Sequence, residues 1–202
     1  MKKMNLPNRL TLLRIALVPA VIAAILIQFP FHFTVAGLLF GAAAITDAFD
    51  GKIARRDNLI TDFGKFADPL ADKILVISAL VCFVKLGLCG AIPLIIIIFR
   101  EFTVTSVRLV AASKGKVIAA NLWGKIKTVS QIVAIVTIFV LQTAVDIISL
   151  ALFNSDSLYL PSYNIFNIFN IIGQVMLWIV AIITVISGAK YLVDNKEVIS
   201  DM

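Results

Sequence analysis

The sequence predicts an all-α membrane protein: six transmembrane helices preceded by a short N-terminal interfacial segment. Hydrophobic residues make up 60% of the 202 positions and charged residues only 15%, and the mean hydropathy is +1.01. A soluble domain of this length carries more charge. The apolar residues also form runs long enough to cross a bilayer as helices, which takes about 20 residues each. We therefore expect residues 1–202 to form a single membrane domain.

The N-terminal part predicts an interfacial segment followed by a first span. Residues 1–9 are basic and contain Pro7, which disfavours a helix interior and favours a segment lying on the membrane. An apolar run at 10–28 follows, and no cleavage-site pattern comes after it, so we interpret it as a retained span. Asn8, Thr11 and Arg14 repeat at helical spacing. They can be snorkelling and capping residues at the interface or ligands of a site.

Five further apolar runs predict the remaining spans. They lie near 33–55, 64–86, from Pro93 to a basic linker at 113–128, 122–150 and 165–192, with a last outer loop at 154–164.

The distribution of basic residues predicts the orientation of these spans. All lysines and arginines except Lys85 fall on or toward one side, and positive charge marks the cytoplasmic side. Both termini are thus expected in the cytoplasm, with the protein integral to the cell membrane. The net charge of +6 fits anionic lipid headgroups, and we expect no nucleic-acid partner.

A segment rich in aspartate, residues 47–72, joins the second span to the third. Asp47 and Asp50 are three residues apart, and Asp68 and Asp72 are four apart, so each pair shares one helical face. Two such helices packed antiparallel would bring the four carboxylates together. Carboxylates in a place of low dielectric stay ionised only if cations offset them. Ligation by oxygen alone favours Mg²⁺ or Mn²⁺ over zinc.

Other residues of the same segment fit a phosphorylated ligand. Gly51 and Gly64 have no side chain, so a ligand can approach the backbone there. Arg55 lies about one turn beyond Gly51, and its guanidinium group suits phosphate oxygens. Carboxylates, metals, an arginine and glycines together indicate a phosphoryl-transfer site.

The spacing of these residues resembles the signature of the CDP-alcohol phosphotransferases at every specified position. The pattern is Asp47-x-x-Asp50-Gly51-x-x-Ala54-Arg55, eight residues, Gly64-x-x-x-Asp68-x-x-x-Asp72. The resemblance implies an integral membrane enzyme, a homodimer, with two Mg²⁺ or Mn²⁺ ions, in which an alcohol displaces CMP from a CDP-linked lipid. It also implies that all four aspartates are metal ligands, with Asp72 acting as the general base. The residues expected to contact the CDP group are Gly51, Ala54, Arg55, Gly64 and Asn8.

The acceptor is indicated by the run from Arg100 to Thr128. This run resembles family members that use glycerol 3-phosphate, and its cations suit a phosphorylated acceptor. We therefore expect transfer of the phosphatidyl group of CDP-diacylglycerol to sn-glycerol 3-phosphate, with the acceptor phosphate bound by Arg108, Lys125 and Lys127. Inositol phosphate would require similar charge, whereas serine or a second lipid would require fewer cations. Arg100 and Glu101, halfway along a span, can form an interhelical pair or belong to the site.

Two other protein classes share some of these features. An ion-coupled transporter also buries aspartates, and release of CMP would separate it from a transferase. A prenyltransferase carries aspartate-rich motifs in two separated segments, whereas all four aspartates here lie within one. The remaining candidates, His32, Cys82 and Cys89, are expected to be interfacial or packing residues rather than ligands.

Overall fold

The computed structural model describes residues 6–56, 62–114, 122–153 and 159–196, and within them it describes the side chains of 11–46, 70–71, 73–114, 122–150 and 167–196. These residues form six helices and no strand, which confirms the all-α prediction. The helices are α1 Leu6–Leu26, α2 His32–Arg56, α3 Asp62–Lys85, α4 Ala91–Ser113, α5 Leu122–Phe153 and α6 Tyr159–Asp194.

Two helices begin four or more residues earlier than the sequence predicted. α1 begins at Leu6, so 6–9 are helical rather than part of a separate interfacial segment. Pro7 is tolerated there because the N–H groups of a first turn have no intrahelical acceptor. α6 begins at Tyr159, six residues before the predicted span, so much of the predicted outer loop is helix. Pro161 again lies in a first turn, which explains why it does not stop the helix.

An aromatic layer shows how α2, α3 and α5 are arranged. The ring of Phe139 lies 5.7 Å from that of Phe40 and 5.2 Å from that of Phe83, centroid to centroid. Phe40 lies 16 residues before the end of α2, and Phe83 lies 21 residues after the start of α3. Because only residues 57–61 separate that end from that start, the two helices run antiparallel. We call Phe40, Phe83 and Phe139 the Phe layer. α1 packs against both α2 and α3, α5 packs against α2 and α6, and α4 packs mainly against α6.

Polar contacts also join the helices on the α2 N-terminal side of the Phe layer. Gln142 of α5 donates to Asn170 of α6 at 3.3 Å. The carboxylate of Asp146 accepts a hydrogen bond from the backbone N–H of Phe33, in the first turn of α2. Because such N–H groups have no acceptor within their own helix, α5 supplies a cap for α2.

The two cysteines and the histidine make packing contacts. Cys82 and Cys89 are free and buried in the hydrophobic core. Cys89 lies in the turn between α3 and α4, where burial raises the pKa of its thiol to about 11. His32 packs against Phe33 and lies near the carbonyl of Ala24.

Two of the described helices are long and apolar enough to cross a membrane. These stretches are Leu122–Leu150 in α5 and Asn167–Asp194 in α6, and shorter apolar stretches occur at Thr11–Leu26 and His32–Thr46. Many large apolar side chains also point outward, such as Phe99 with 73% of its surface exposed and Leu38 with 70%. A surface of this kind is typical of helices that face lipid.

Candidate active site

The four motif aspartates lie on one side of the Phe layer. Asp47 and Asp50 follow the α2 member of the layer by seven and ten residues, which is about 10 to 15 Å along the helix. Asp72 and Asp68 precede the α3 member by 11 and 15 residues, about 16 to 23 Å. Because α2 and α3 are antiparallel, both pairs lie toward the same end. Their side chains lie outside the described ones, so their convergence on a metal remains a prediction.

The predicted CDP contacts also lie outside the described side chains. The backbone places Asn8 in α1, Gly51, Ala54 and Arg55 in the last part of α2, and Gly64 at the start of α3. Their roles therefore stay predictions.

The donor chemistry of the motif fits a hard divalent cation. Carboxylate oxygens are the ligands that Mg²⁺ and Mn²⁺ prefer, and the motif carries four of them on two antiparallel helices. Among residues with described side chains, no three histidines, cysteines, aspartates or glutamates come together. That set does not include the motif aspartates.

On α1, Thr11 and Arg14 are inside the bundle. Each has 0% of its surface exposed. A snorkelling arginine would hold its guanidinium group in the headgroup region, so that alternative is wrong for Arg14. α1 therefore presents a cation and a hydroxyl group to α2 and α3, the helices that carry the aspartates.

A group of charges shielded from most solvent joins α3, α4, α5 and α6. Oε1 of Glu101 lies 3.0 Å from Nη1 of Arg100 and 2.5 Å from Nζ of Lys127. Arg100 also donates from Nη2 to the hydroxyl of Ser187 at 2.8 Å. Nζ of Lys73 donates to the backbone carbonyl of Glu101 at 3.4 Å. We call Lys73, Arg100, Glu101, Lys127 and Ser187 the Glu101 cluster.

The Glu101 cluster lies at the level of the motif aspartates. Lys73 directly follows Asp72 on α3, and Lys127 precedes Phe139 by 12 residues, about 18 Å. Between them is a cavity of about 40 Å³, whose polar lining comes from Lys73, Glu101, Lys127, Thr128 and Gln131. Its volume is about that of one or two water molecules. Polar groups of three helices thus surround a small space beside the aspartate-bearing part of α3.

The three predicted acceptor residues have different surroundings. Lys127 is 4% exposed and paired with Glu101, whereas Lys125, two residues earlier, is exposed on another face of α5. Arg108 turns toward α6: its Nε lies 3.3 Å from the hydroxyl of Tyr191 and its guanidinium carbon 5.3 Å from that ring's centroid. The described contacts place Arg108 and Lys127 with different partners. The shared phosphate pocket remains a prediction.

Sequence reasoning left open the role of Arg100 and Glu101 and did not single out Lys73. In the structure, Glu101 of α4 forms an interhelical ion pair with Lys127 of α5. Lys73 also bonds to Thr105, one turn beyond Glu101. A signal for Lys73 was present, because a lysine directly after a motif aspartate and before an apolar run needs a buried partner.

Comparisons with known proteins agree with the motif. The model of the CDP-alcohol phosphatidyltransferase family matches residues 4–186. A CDP-diacylglycerol–glycerol-3-phosphate 3-phosphatidyltransferase of Bacillus subtilis (strain 168) is 38% identical over 205 residues, covering 96% of each chain. A protein of the same name from Rickettsia bellii (strain RML369-C) is 36% identical over 193 residues, also 96% of each chain.

A third relative, which matches over a smaller part of each chain, has a related name. A probable phosphatidylglycerophosphate synthase of Mycobacterium tuberculosis (strain ATCC 25618 / H37Rv) is 44% identical over 137 residues, which is 65% of this chain and 64% of that protein. The family match spans both motif-bearing helices and four of the five residues of the Glu101 cluster, ending in α6 one residue before Ser187. The resemblance drawn from the aspartate spacing is thereby confirmed, and the chain belongs to the CDP-alcohol phosphatidyltransferase family.

Proposed function

We propose that this enzyme transfers the phosphatidyl group of CDP-diacylglycerol to sn-glycerol 3-phosphate, forming phosphatidylglycerol phosphate and CMP. The observation that carries the proposal is that two relatives named for this reaction match over 96% of the chain. In the reaction, a hydroxyl oxygen of the acceptor bonds to the β-phosphorus of CDP-diacylglycerol. The bond from that phosphorus to CMP breaks, and the hydroxyl proton passes to a base.

The motif aspartates supply the ligands and the base in this proposal. Asp47, Asp50, Asp68 and Asp72 would hold two Mg²⁺ or Mn²⁺ ions, which when bound neutralise charge on the pyrophosphate and on departing CMP. Asp72 accepts the proton of the acceptor hydroxyl and must come within about 3 Å of it. Placement of both aspartate pairs toward one end of α2 and α3 supports this assignment.

Binding of the CDP group is assigned to the other residues of the motif and to Asn8. Gly51, Ala54 and Gly64 let the nucleotide lie against the backbone, because a larger side chain would hold it away. Arg55 contacts the pyrophosphate through charge-assisted hydrogen bonds. Asn8, near the start of α1, completes the proposed set.

The acceptor phosphate is assigned to Arg108, Lys125 and Lys127. A dianionic phosphate gains most from several cations in a place with little water. The burial of Lys127 beside α3 supports its part in this assignment.

We also propose six membrane spans, with both termini and the aspartates on the cytoplasmic side. Six helices, two of them clearly long and apolar enough to cross, and a largely apolar exterior support this topology. Basic residues concentrated at one end of the bundle support the orientation. A homodimer, which the resemblance implies, is part of the proposal and is testable by the mass of the purified protein in detergent.

Release of CMP by the purified protein tests the reaction. The enzyme is incubated with CDP-diacylglycerol and either glycerol 3-phosphate, inositol phosphate, serine or no acceptor. We expect release that depends on glycerol 3-phosphate, is lost with EDTA and returns with Mg²⁺ or Mn²⁺. If CMP is released only with one of the other acceptors, that compound replaces glycerol 3-phosphate as the proposed acceptor. If no CMP is released with any acceptor, the proposal is overturned.

A further inference from the structure

We propose that Glu101 is a positioning residue that holds the ammonium group of Lys127 where the acceptor phosphate binds. This inference rests on the proposed function, because it assigns a task to Glu101 in the same reaction. It adds a residue of opposite charge to a set that otherwise consists of cations. Glu101 would orient the ammonium group of Lys127 toward the phosphate monoester of the acceptor.

The geometry places Glu101 between two cations. A single carboxylate oxygen, Oε1, lies 3.0 Å from the guanidinium of Arg100 and 2.5 Å from the ammonium of Lys127. The side chains are 12% exposed for Arg100, 14% for Glu101 and 5% for Lys127. A contact so short and so shielded from water is not a loose surface pair.

The pair with Lys127 is anchored from the other side. Arg100 donates to Ser187 on α6 at 2.8 Å, and Gly188 leaves room for the stem of Arg100 to cross that helix. The contacts therefore run from α6 through Arg100 and Glu101 of α4 to Lys127 of α5. Each step restricts the next, so the position of the ammonium group depends on all of them.

A lysine needs such an anchor more than an arginine does. Its charge sits on a flexible four-carbon stem, and holding it in one place costs side-chain entropy. An ammonium group has three N–H donors, so it can bond to Glu101 and to further acceptors at the same time. Pairing with Glu101 is thus compatible with a contact to phosphate, while the cost of orienting the stem is met before the acceptor arrives.

The position of Lys127 fits a role beside the reacting groups. Its side chain lines the 40 Å³ cavity together with Lys73, the residue after Asp72. Glu101 lines the same cavity from α4. A change at Glu101 would therefore move a cation at the level of the proposed base.

A double-mutant cycle on the purified enzyme tests the inference. Glu101→Gln keeps the shape and an oxygen acceptor but removes the charge, and Lys127→Gln removes the ammonium group. For both single variants and the double variant, KM for glycerol 3-phosphate, KM for CDP-diacylglycerol and kcat are measured by CMP release. Thermal unfolding of each variant in detergent shows how much stability it has lost.

We expect each single variant to raise KM for glycerol 3-phosphate about tenfold and leave KM for CDP-diacylglycerol nearly unchanged. The double variant should also stay at about tenfold, because the two residues act through one contact. An increase of about a hundredfold in the double variant would mean that they act independently and would overturn the inference. A wild-type KM in Glu101→Gln, or equal increases for both substrates, would overturn it as well.

Two further variants separate positioning from stability. If Glu101→Gln does not fold, Glu101→Asp keeps the charge but withdraws it by one methylene, and a smaller selective rise in KM for glycerol 3-phosphate is expected. Gln142→Leu is the matched control, because it breaks a buried bond between α5 and α6 on the opposite side of the Phe layer. It should lose stability without changing either KM. An equal rise in KM for the acceptor in this control would assign the effect of Glu101 to stability alone.

The failure of this inference is distinguishable from failure of the proposed function. If the wild-type enzyme releases no CMP with glycerol 3-phosphate, the proposed function is wrong. If the wild-type enzyme is active but Glu101→Gln and Glu101→Asp keep its KM, only the positioning role is wrong.

Discussion

At the scale of single residues, the proposed site combines four carboxylates with cations drawn from several helices. Aspartates within one short segment repel one another unless cations lie among them. The described cations near their level include Lys73, Lys127 and Arg100, of which the last two share a carboxylate oxygen of Glu101. Charge in this part of the bundle is therefore organised by specific pairs, and single substitutions should have separable effects.

Changing Asp47, Asp50 or Asp68 to alanine is expected to abolish metal-dependent turnover. Each loss removes an oxygen ligand, and a bound ion supplies several kcal/mol of charge stabilisation, so the rate should fall by roughly three powers of ten or more. CMP release at saturating Mg²⁺ measures the effect. Near-normal activity in any one variant would remove that residue from the metal site.

Asp72→Asn is expected to separate the base from the ligands. If Asp72 accepts the proton, kcat should fall by about 10² to 10⁴ while binding of CDP-diacylglycerol is roughly retained. Both can be measured on one preparation, by CMP release and by equilibrium binding of the lipid. Loss of nucleotide-lipid affinity along with rate would make Asp72 primarily a metal ligand.

Arg108→Gln and Lys125→Gln test the rest of the acceptor assignment. Each should raise KM for glycerol 3-phosphate about tenfold if its cation meets the phosphate, because a charge-assisted contact is worth roughly 1.5 to 3 kcal/mol. KM for CDP-diacylglycerol serves as the internal control. If both variants, and Lys127→Gln with them, keep the wild-type KM for the acceptor, the phosphate is bound elsewhere.

At the scale of helices, α4 and α6 approach closely where α6 has a glycine. A Cβ atom at Gly188 would lie 2.9 Å from Cγ of Arg100, which is closer than two such atoms come. By contrast, a Cβ atom at Gly41 on α2 would have nothing within 4 Å. Close packing against Arg100 therefore requires a glycine at 188, whereas no described contact requires one at 41.

Gly188→Ala is expected to destabilise the protein by about 1 to 3 kcal/mol, because the added methyl group forces Arg100 to move. Gly41→Ala is the matched control and should be neutral, or stabilising by up to about 1 kcal/mol from helix propensity. Thermal unfolding of the two variants in the same detergent compares them. Equal midpoints would mean that the approach of Arg100 to α6 does not limit packing.

At the scale of the whole molecule, the bundle has one basic end and an apolar exterior. The lysines and arginines near that end include those of the Glu101 cluster, whereas Lys85 lies at the opposite end, before the turn that contains Cys89. An asymmetry of this kind sets the orientation of spans in a membrane. Labelling at the two ends should therefore differ.

Cysteines placed at the two ends of the bundle test the topology. With a membrane-impermeant maleimide, Lys85→Cys should react in intact cells, and Lys114→Cys only after the cells are permeabilised. The wild-type chain is the control: both native cysteines are buried, and the raised pKa of Cys89 keeps its thiol protonated near pH 7. Labelling of Lys114→Cys in intact cells would reverse the proposed orientation.

The sequence by itself determined the helical class and the family. Apolar runs of about 20 residues specify helices locally, since a chain in lipid must satisfy its own hydrogen bonds, and the spacing of Asp47, Asp50, Asp68 and Asp72 is a local property of two neighbouring helices. Helix ends were less well predicted: Pro7 was interpreted as disfavouring a helix, and Pro161 fell within the predicted outer loop. Both lie in first turns, where a proline costs little.

Only the tertiary structure decided the partners of the charges inside the helix bundle. Helical spacing tells which residues of α4 share a face, but not which helix lies against that face. Glu101 meets Lys127 26 residues away, and Arg100 meets Ser187 87 residues away. The burial of Arg14 likewise depends on α1 lying against both α2 and α3. These pairings follow from how the helices pack side by side, which is a long-range property that no local spacing encodes.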